Sequence, residues 1–181
     1  MTIALLFGMV LIRALLMKRK GINAMNFGEI DKKDFLIPPF ALFYFYVVFA
    51  AAFRLPTVST QEFFYSGIIA WVGVCLCLSG LLLLFLSLIS FGKSFRVGID
   101  TQHPDKLVTS GLFAISRNPI YVAFESVLIG QFLVFPNWIL LVYVGAATWL
   151  FHRQVLREED YLMRYYGNEY SEYCDRVRRY L

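Results

Sequence analysis

The chain has 181 residues, of which 59% are hydrophobic and only 17% charged, and its mean hydropathy is +0.60. A chain this short folding in water cannot bury so much apolar surface, so the composition excludes an ordinary soluble domain, a disordered tail and a disulfide scaffold, and implies a protein solvated by lipid. The net charge of +4 is explained below by membrane orientation, so no nucleic-acid partner is expected.

The first apolar run is Met1 to Met17, interrupted by Arg13 and closed by Lys18-Arg19-Lys20-Gly21. A secretory signal carries its positive charges before the apolar core, so this run is expected to be a retained membrane helix. Arg13, near its end, can snorkel to the interface. Residues 18–34 are polar. The second run, Phe35 to Phe53, is closed by Arg54 and carries Pro38-Pro39 near its start, where proline is tolerated. A short loop with Pro56 and Glu62 leads to the third and longest run, Phe63 to Phe91, which has room to tilt. The loop 92–118 is polar. The fourth run, Pro119 to Phe151, is too long for one span and is broken by Phe135-Pro136-Asn137, which predicts a tight helical hairpin. The tail, 152–181, is charged and tyrosine-rich; it is expected to be mostly helical, with a break at Gly167-Asn168.

Topology follows from the basic residues. Residues 18–34 carry Lys18, Arg19, Lys20, Lys32 and Lys33; residues 92–118 carry Lys93, Arg96, Lys106 and Arg117; the tail carries Arg153, Arg157, Arg164, Arg176, Arg178 and Arg179. The opposite side has Arg54. Excess Lys and Arg face the cytoplasm. The expected architecture is an all-α integral membrane protein of about five transmembrane helices, the last two a tight hairpin, with the N-terminus outside and the C-terminus cytoplasmic. It forms one domain over 1–181: three helices in 1–91, then loop, hairpin and tail in 92–181. No internal repeat of the kind that marks transporters is visible.

This topology gathers His103, Asp105, Lys106, Arg117, Asn118, His152, Arg153, Glu158 and Glu159 on one face of the membrane. In the tail, Gln154, Glu158, Tyr161 and Tyr165 share one helical face, with Glu159, Leu162 and Tyr166 on the adjacent stripe. A carboxylate pair beside aromatic rings can hold a polar cofactor, taking hydrogen bonds from ribose hydroxyls or an amine. The same pattern also describes a solvated helix with ion pairs such as Arg157 with Asp160. In the stretch Lys106 to Tyr121, Gly111 permits a turn and Asn118-Pro119 opens a helix. That start can bind a carboxylate, or simply cap a connecting loop. Glu125 lies inside the fourth run: it is either functional, as carboxylates in membrane helices tend to be, or it reaches polar groups near the interface. His152 is a candidate general base or an interfacial residue. Cys75 and Cys77 point to different faces and have no partners nearby, and Cys174 is a lipidation candidate or inert, so neither a metal site nor a disulfide framework is expected.

The loop and tail features occur together and in order. Leu107-Val108-Thr109-Ser110-Gly111-Leu112-Phe113, Arg117-Asn118-Pro119-Ile120-Tyr121, the pair Glu158-Glu159, and Tyr166-Gly167-Asn168-Glu169-Tyr170-Ser171-Glu172-Tyr173 follow one another. From about Phe91 to Val177 the chain resembles the isoprenylcysteine carboxyl methyltransferase family and its phospholipid methyltransferase relatives. The resemblance implies an S-adenosylmethionine-dependent membrane methyltransferase. It implies that Asp105, Lys106, Leu107, Val108 and Phe113 line the cofactor pocket. Asn118, Pro119, Ile120 and Tyr121 would hold the cofactor's amino-acid end, and Glu158 would bind it with Glu159 alongside. The family usually has His at Asn118, and a His opens the Leu-Val stretch where this chain has Asp105. An Arg that contacts the substrate carboxylate is replaced by Gln154 with Arg153 next to it; these two are the candidates for positioning the acceptor. Glu125, His152 and Glu159 are the candidate bases if the acceptor needs deprotonation.

The implied acceptor is a lipophilic small molecule or prenylated substrate drawn from the bilayer, most simply an isoprenylcysteine-type carboxylate, with a phospholipid amine or a thiol as the alternative. The active site would face the cytoplasm, at the inner membrane of a bacterium or the endoplasmic reticulum of a eukaryote. A reading of another class is a non-enzymatic transporter or scaffold.

Overall fold

The computed structural model describes residues 2–19, 37–53, 55, 63, 66–91 and 107–181. The helices are α1 (Thr2–Arg19), α2 (Ile37–Ala52), α3 (Gly67–Phe91), α4 (Pro119–Val134), α5 (Trp138–Tyr166) and α6 (Asn168–Arg176), with a short 3-10 turn at Gly111–Ala114 between α3 and α4. Among the described residues there is no strand; Ser116 and Arg178 form an isolated parallel bridge. Among the described residues two helices are by themselves long and apolar enough to cross a bilayer: α3, 25 residues with a mean hydropathy of 2.7 in its most apolar window, and α5, 29 residues with 1.3. At the α-helical rise α3 is about 37 Å long, against about 30 Å of hydrocarbon. The 16-residue α4 is apolar but shorter.

The helix ends follow from local chemistry. Asn118 precedes α4, and Pro119 sits in its first turn, where a missing N–H costs nothing. Phe135 leaves the helical region at φ −129°, ψ 72°, as a residue before proline must, and α4 stops there. Asn137, fully buried, then caps α5: its side chain accepts from the Leu140 amide at 2.9 Å. From there α5 runs without a break through Phe151 to Tyr166. The change at Phe151 that hydropathy suggests as the end of the hydrophobic run is therefore a change of surroundings and not of backbone. The expected break falls at Gly167, whose φ of 54° is the left-handed conformation that glycine adopts without penalty.

The tightest packing is between α3 and α4. Gly73, Cys77, Gly80, Leu84 and Ser87 form one buried stripe of α3, facing Ala123, Val127 and Gly130. A Cβ on Gly73 would lie 2.5 Å from the Gly130 carbonyl oxygen; one on Gly80 would lie 2.9 Å from that of Ala123; one on Gly130 would lie 2.7 Å from Cys77 Sγ. The backbones thus touch through small residues, the device that joins helices where lipid removes the hydrophobic drive. Leu6, Ala14 and Met17 of α1, Tyr44 and Val47 of α2, and Leu140, Tyr143 and Ala147 of α5 complete the core around this seam. Side chains such as Leu11, Ile12, Leu42, Ile68, Trp71 and Val142 point outward, as expected of a surface solvated by lipid.

Candidate functional site

The polar residues converge where the start of α4, the middle of α5 and the C-terminal segment meet. They form two clusters around the neighbouring carboxylates Glu159 and Glu158.

The first cluster is internal. Glu159 Oε1 accepts from Arg117 (Nε at 3.2 Å, Nη2 at 3.1 Å) and from Asn118 Nδ2 at 3.2 Å, and Oε2 accepts from Arg179 Nε at 2.8 Å. Asn118 donates its second amide hydrogen to the Arg179 carbonyl at 3.2 Å. Arg117 Nη1 donates to the carbonyls of Cys174 and Val177, at 3.2 and 3.3 Å, placing a cation against the last carbonyls of α6. Its backbone N–H donates to the Arg178 carbonyl at 2.9 Å, which makes the bridge between 116 and 178. The segment after α6 is thereby strapped to the start of α4. Beneath it lie Tyr170, Tyr173 and Val177, packed against Leu107, Leu162 and Tyr166. The Tyr173 hydroxyl donates to the Phe113 carbonyl at 2.6 Å, and the Phe113 ring meets Phe91 edge-on at 4.8 Å. Burial pushes the phenols of Tyr170 and Tyr173 above the ordinary tyrosine range, Tyr173 to about 12. Gly111, at φ 64°, makes the turn that brings Phe113 inward, and the Leu112 amide donates to Ser90 Oγ at the end of α3.

The second cluster is half-buried. Glu158 Oε1 accepts from the Tyr121 hydroxyl at 2.7 Å and from Gln154 Nε2 at 3.1 Å. One turn further along α5, Tyr161 and Tyr165 are stacked with centroids 6.2 Å apart and planes 11° apart. The face Gln154, Glu158, Tyr161, Tyr165 is thus a continuous polar and aromatic ledge. Asp160 pairs with Arg164 at 2.6 Å. The Arg153 guanidinium lies over Trp149, 5.6 Å from the ring centroid.

Next to this ledge is a cavity of about 400 Å³ walled by α3, α4, α5 and Tyr180. Tyr121, whose hydroxyl serves Glu158, is one of its lining residues. Glu125 and Thr148, hydrogen-bonded to each other, line it, as do His152 and Tyr180, whose Nδ1 and hydroxyl lie 2.9 Å apart.

Of the residues singled out in the sequence, Asp105 and Lys106, with His103, lie outside the described residues. Phe113, Asn118, Pro119 and Glu159 are buried, and Asn118 and Glu159 are bonded to one another. Leu107, Val108, Ile120, Tyr121, Arg153, Gln154 and Glu158 are half-buried. Among the described residues no group of three or more His, Cys, Asp or Glu could hold a metal ion. Sequence reasoning missed Arg117 as the hub of the internal cluster, Thr148 as the partner of Glu125, and Arg179 and Tyr180 altogether. Thr148 was findable: it stands 11 positions after Asn137, close to the 10 by which Glu125 precedes Phe135.

Comparison with known proteins shows the family of the chain and a solved structure with the same fold. Residues 68–169 match the phospholipid methyltransferase family, and the chain belongs to it. A probable protein-S-isoprenylcysteine O-methyltransferase of Oryza sativa subsp. japonica is 28% identical over 114 residues, covering 60% of this chain and 59% of that protein. Protein-S-isoprenylcysteine O-methyltransferase B of Arabidopsis thaliana is 31% identical over 108 residues, covering 58% and 55%. The Tribolium castaneum enzyme is 27% identical over 125 residues, covering 65% and 44%. The solved structure of the eukaryotic intramembrane Ras methyltransferase ICMT superposes with a TM-score of 0.61 at 21% identity, over 83% of this chain and 55% of that one, which establishes a common fold. The chain spans about half the length of these relatives.

Proposed function

We propose that this chain is an S-adenosylmethionine-dependent methyltransferase whose acceptor is a lipophilic carboxylate of the isoprenylcysteine type, taken from the bilayer. The observation that carries the reading is the 2.7 Å hydrogen bond between Tyr121 and Glu158. It joins the loop-side and tail-side segments of the methyltransferase motif set beside a cavity large enough for a small molecule. The helices α1 to α5 would make five crossings, α4 and α5 as a hairpin, with the N-terminus outside and the clusters cytoplasmic. The basic segments around 18–34, 92–118 and the tail support that orientation.

The donor set fits the cofactor. Glu158, flanked by Tyr121 and Gln154, can accept from ribose hydroxyls or an ammonium, and the ring pair Tyr161–Tyr165 offers a flat face to a base or a cation. Leu107, Val108 and Ile120 would line the pocket, and Phe113 and Pro119 would shape it from beneath. Asn118 and Glu159 spend their hydrogen bonds on each other and on Arg117 and Arg179, so we assign them to positioning. When bound, the cofactor supplies an already activated methyl group. The chain's part is to hold donor and acceptor in line and to keep water out, which needs no base for a carboxylate acceptor.

A second reading, a phospholipid amine or a thiol as acceptor, is favoured by one observation: Gln154 gives its amide to Glu158, where a fixed cation would suit a carboxylate better. Calorimetric titration of S-adenosylmethionine in detergent, on wild type and Glu158→Ala, tests the reading. Micromolar binding abolished by the substitution supports it. No binding by folded wild type, with and without added lipid, sinks it in favour of a transporter or scaffold.

A further inference from the structure

The apolar part of α5 is too short for a bilayer. Trp138, its first residue, is exposed and meets Phe63 edge-on, as suits an aromatic at a membrane interface. From Trp138 to Phe151, where the apolar run ends, the helix rises about 20 Å against about 30 Å of hydrocarbon, and tilt only widens the gap. The outward face of α5, however, does not change character at Phe151. At about 100° per residue, Trp138, Val142, Leu156 and Met163 fall within about 40° of the line through Trp149. All five are exposed, Leu156 and Met163 at 42% each, although these two stand in the charged part of the helix. From Trp138 to Met163 the stripe rises about 37 Å, enough to cross the hydrocarbon and enter the headgroup layer.

One margin of this stripe is basic. Arg153, Arg157 and Arg164 lie about 40° to 80° from the line, all on the same side. The Arg153 guanidinium sits over the Trp149 ring, 5.6 Å from its centroid. Asp160, the carboxylate on this face, pairs with Arg164; the two side chains are 60% and 78% exposed, so water screens the pair. Glu158 and Glu159 turn away, to Tyr121 and to Arg117. Exposed apolar side chains edged by cations are the pattern of a helix that lies against an anionic lipid surface.

We propose that the outward face of α5 stays against the bilayer as far as Met163 and that Arg153, Arg157 and Arg164 bind the phosphate of an anionic phospholipid there, with Leu156 and Met163 among its acyl chains. The ledge Gln154, Glu158, Tyr161, Tyr165 lies on the other side of the helix, so the lipid leaves it open and sets its depth at the level of the headgroups. The inference rests on α5 crossing the bilayer, as in the proposed function, and not on the identity of the cofactor or the acceptor.

The test places the photo-crosslinking residue benzoylphenylalanine at position 142, 156, 163 or 169, one at a time, in the full chain in nanodiscs of phosphatidylcholine mixed with phosphatidylglycerol. Intact mass identifies the adduct. Val142 is the control for a crossing helix, and Glu169, exposed on α6, is the control for water. Lipid adducts are expected at 142, 156 and 163 and not at 169. The ratio of phosphatidylglycerol to phosphatidylcholine adducts at 156 and 163 should exceed that at 142 about fivefold, the worth of one arginine near an anionic surface. Replacing the three arginines together (Arg153→Gln, Arg157→Gln, Arg164→Gln) should bring the ratio to within about twofold of that at 142, and raised salt should lower it in the protein that keeps them. Lipid at 142 without lipid at 156 and 163, or cross-linking of these two to a second copy of the chain in its place, overturns the inference. So does a ratio at 156 and 163 that equals the one at 142, or one that neither salt nor the arginine replacements lower. Absence of lipid adducts at 142 is a separate result: it overturns the crossing of the bilayer by α5 on which the inference stands.

Discussion

Replacing Arg117 by Met keeps the aliphatic stem and removes the guanidinium, and the structure sets the scale of the consequence. The side chains of Arg117 and Glu159 are 10% and 11% exposed, so the pair is screened little by water. Removing one member of a buried pair and leaving the other uncompensated costs about 3–5 kcal/mol, and because Arg179 and Asn118 still bond Glu159 the loss should lie at the low end, about 3 kcal/mol. Here the substitution also strips the carbonyls of Cys174 and Val177 of their donor. Arg179, the other cation on Glu159, is 39% exposed, and Arg179→Met should cost no more than about 1 kcal/mol. Glu159→Gln falls between the two, at about 1–3 kcal/mol. The loss should appear first as release of the tail. The nine residues of α6 are too few to hold a helix alone and depend on docking through Tyr170, Tyr173 and Val177. The assay is reversible unfolding in mixed dodecylmaltoside and sodium dodecyl sulfate micelles, with tryptic cleavage after Arg176 and Arg178 as the local readout. The double variant Arg117→Met/Glu159→Gln should lose less than the two single losses together, because the partners share one interaction. An Arg117→Met protein within about 0.5 kcal/mol of wild type, the range of surface changes, would refute the reasoning, as would an equal cost for Arg179→Met.

The other predictions concern the ledge, the seam and the tail. Tyr121→Phe should weaken S-adenosylmethionine binding about tenfold by removing one hydrogen bond to a charged group, leaving Gln154 in place; an unchanged titration would place the cofactor elsewhere. Gly80→Leu and Gly130→Leu should abolish folded yield in size-exclusion chromatography, since even a Cβ at these positions meets the opposite helix at 2.9 and 2.7 Å. Gly145→Ala, with nothing within 4 Å, should be neutral or stabilise by about 1 kcal/mol. Tyr173 ionises near 12 because the folded protein favours its neutral form. A raised folded value means that the stabilisation is complete below the unfolded value near 10 and fades as pH rises through about 12. Absorbance titration at alkaline pH should therefore show late phenolate formation coupled to tail release, and Tyr173→Phe should remove that step.

The apolar helices are legible because lipid imposes one requirement, a long apolar run, and composition reports it directly. The same simplicity hides the packing. Gly73, Gly80 and Ser87 recur every seven residues on the buried stripe of α3, but Gly8 and Gly145 lie in equally apolar runs and have nothing within 4 Å. A glycine in such a run reads alike whether it faces lipid or a neighbouring backbone; the partner stripe on α4 decides, and that is a long-range fact. The site shows the same division. Glu158 and Glu159 read as one carboxylate pair, yet consecutive residues on a helix point about 100° apart. That angle turns Glu158 to Tyr121 and Gln154, and Glu159 to Arg117, Asn118 and Arg179. The residues that settle which carboxylate faces which way are Arg117, some forty positions earlier, and Arg179, which in sequence is only another basic residue of the tail. Because Glu159 is held from three directions, α5 cannot rotate about its axis without breaking a buried ion pair, and this fixes the direction of Glu158. The neighbour we assign to positioning thus sets the geometry of the one proposed to bind the cofactor, and on that proposal the pair reads as an anchor and a ligand.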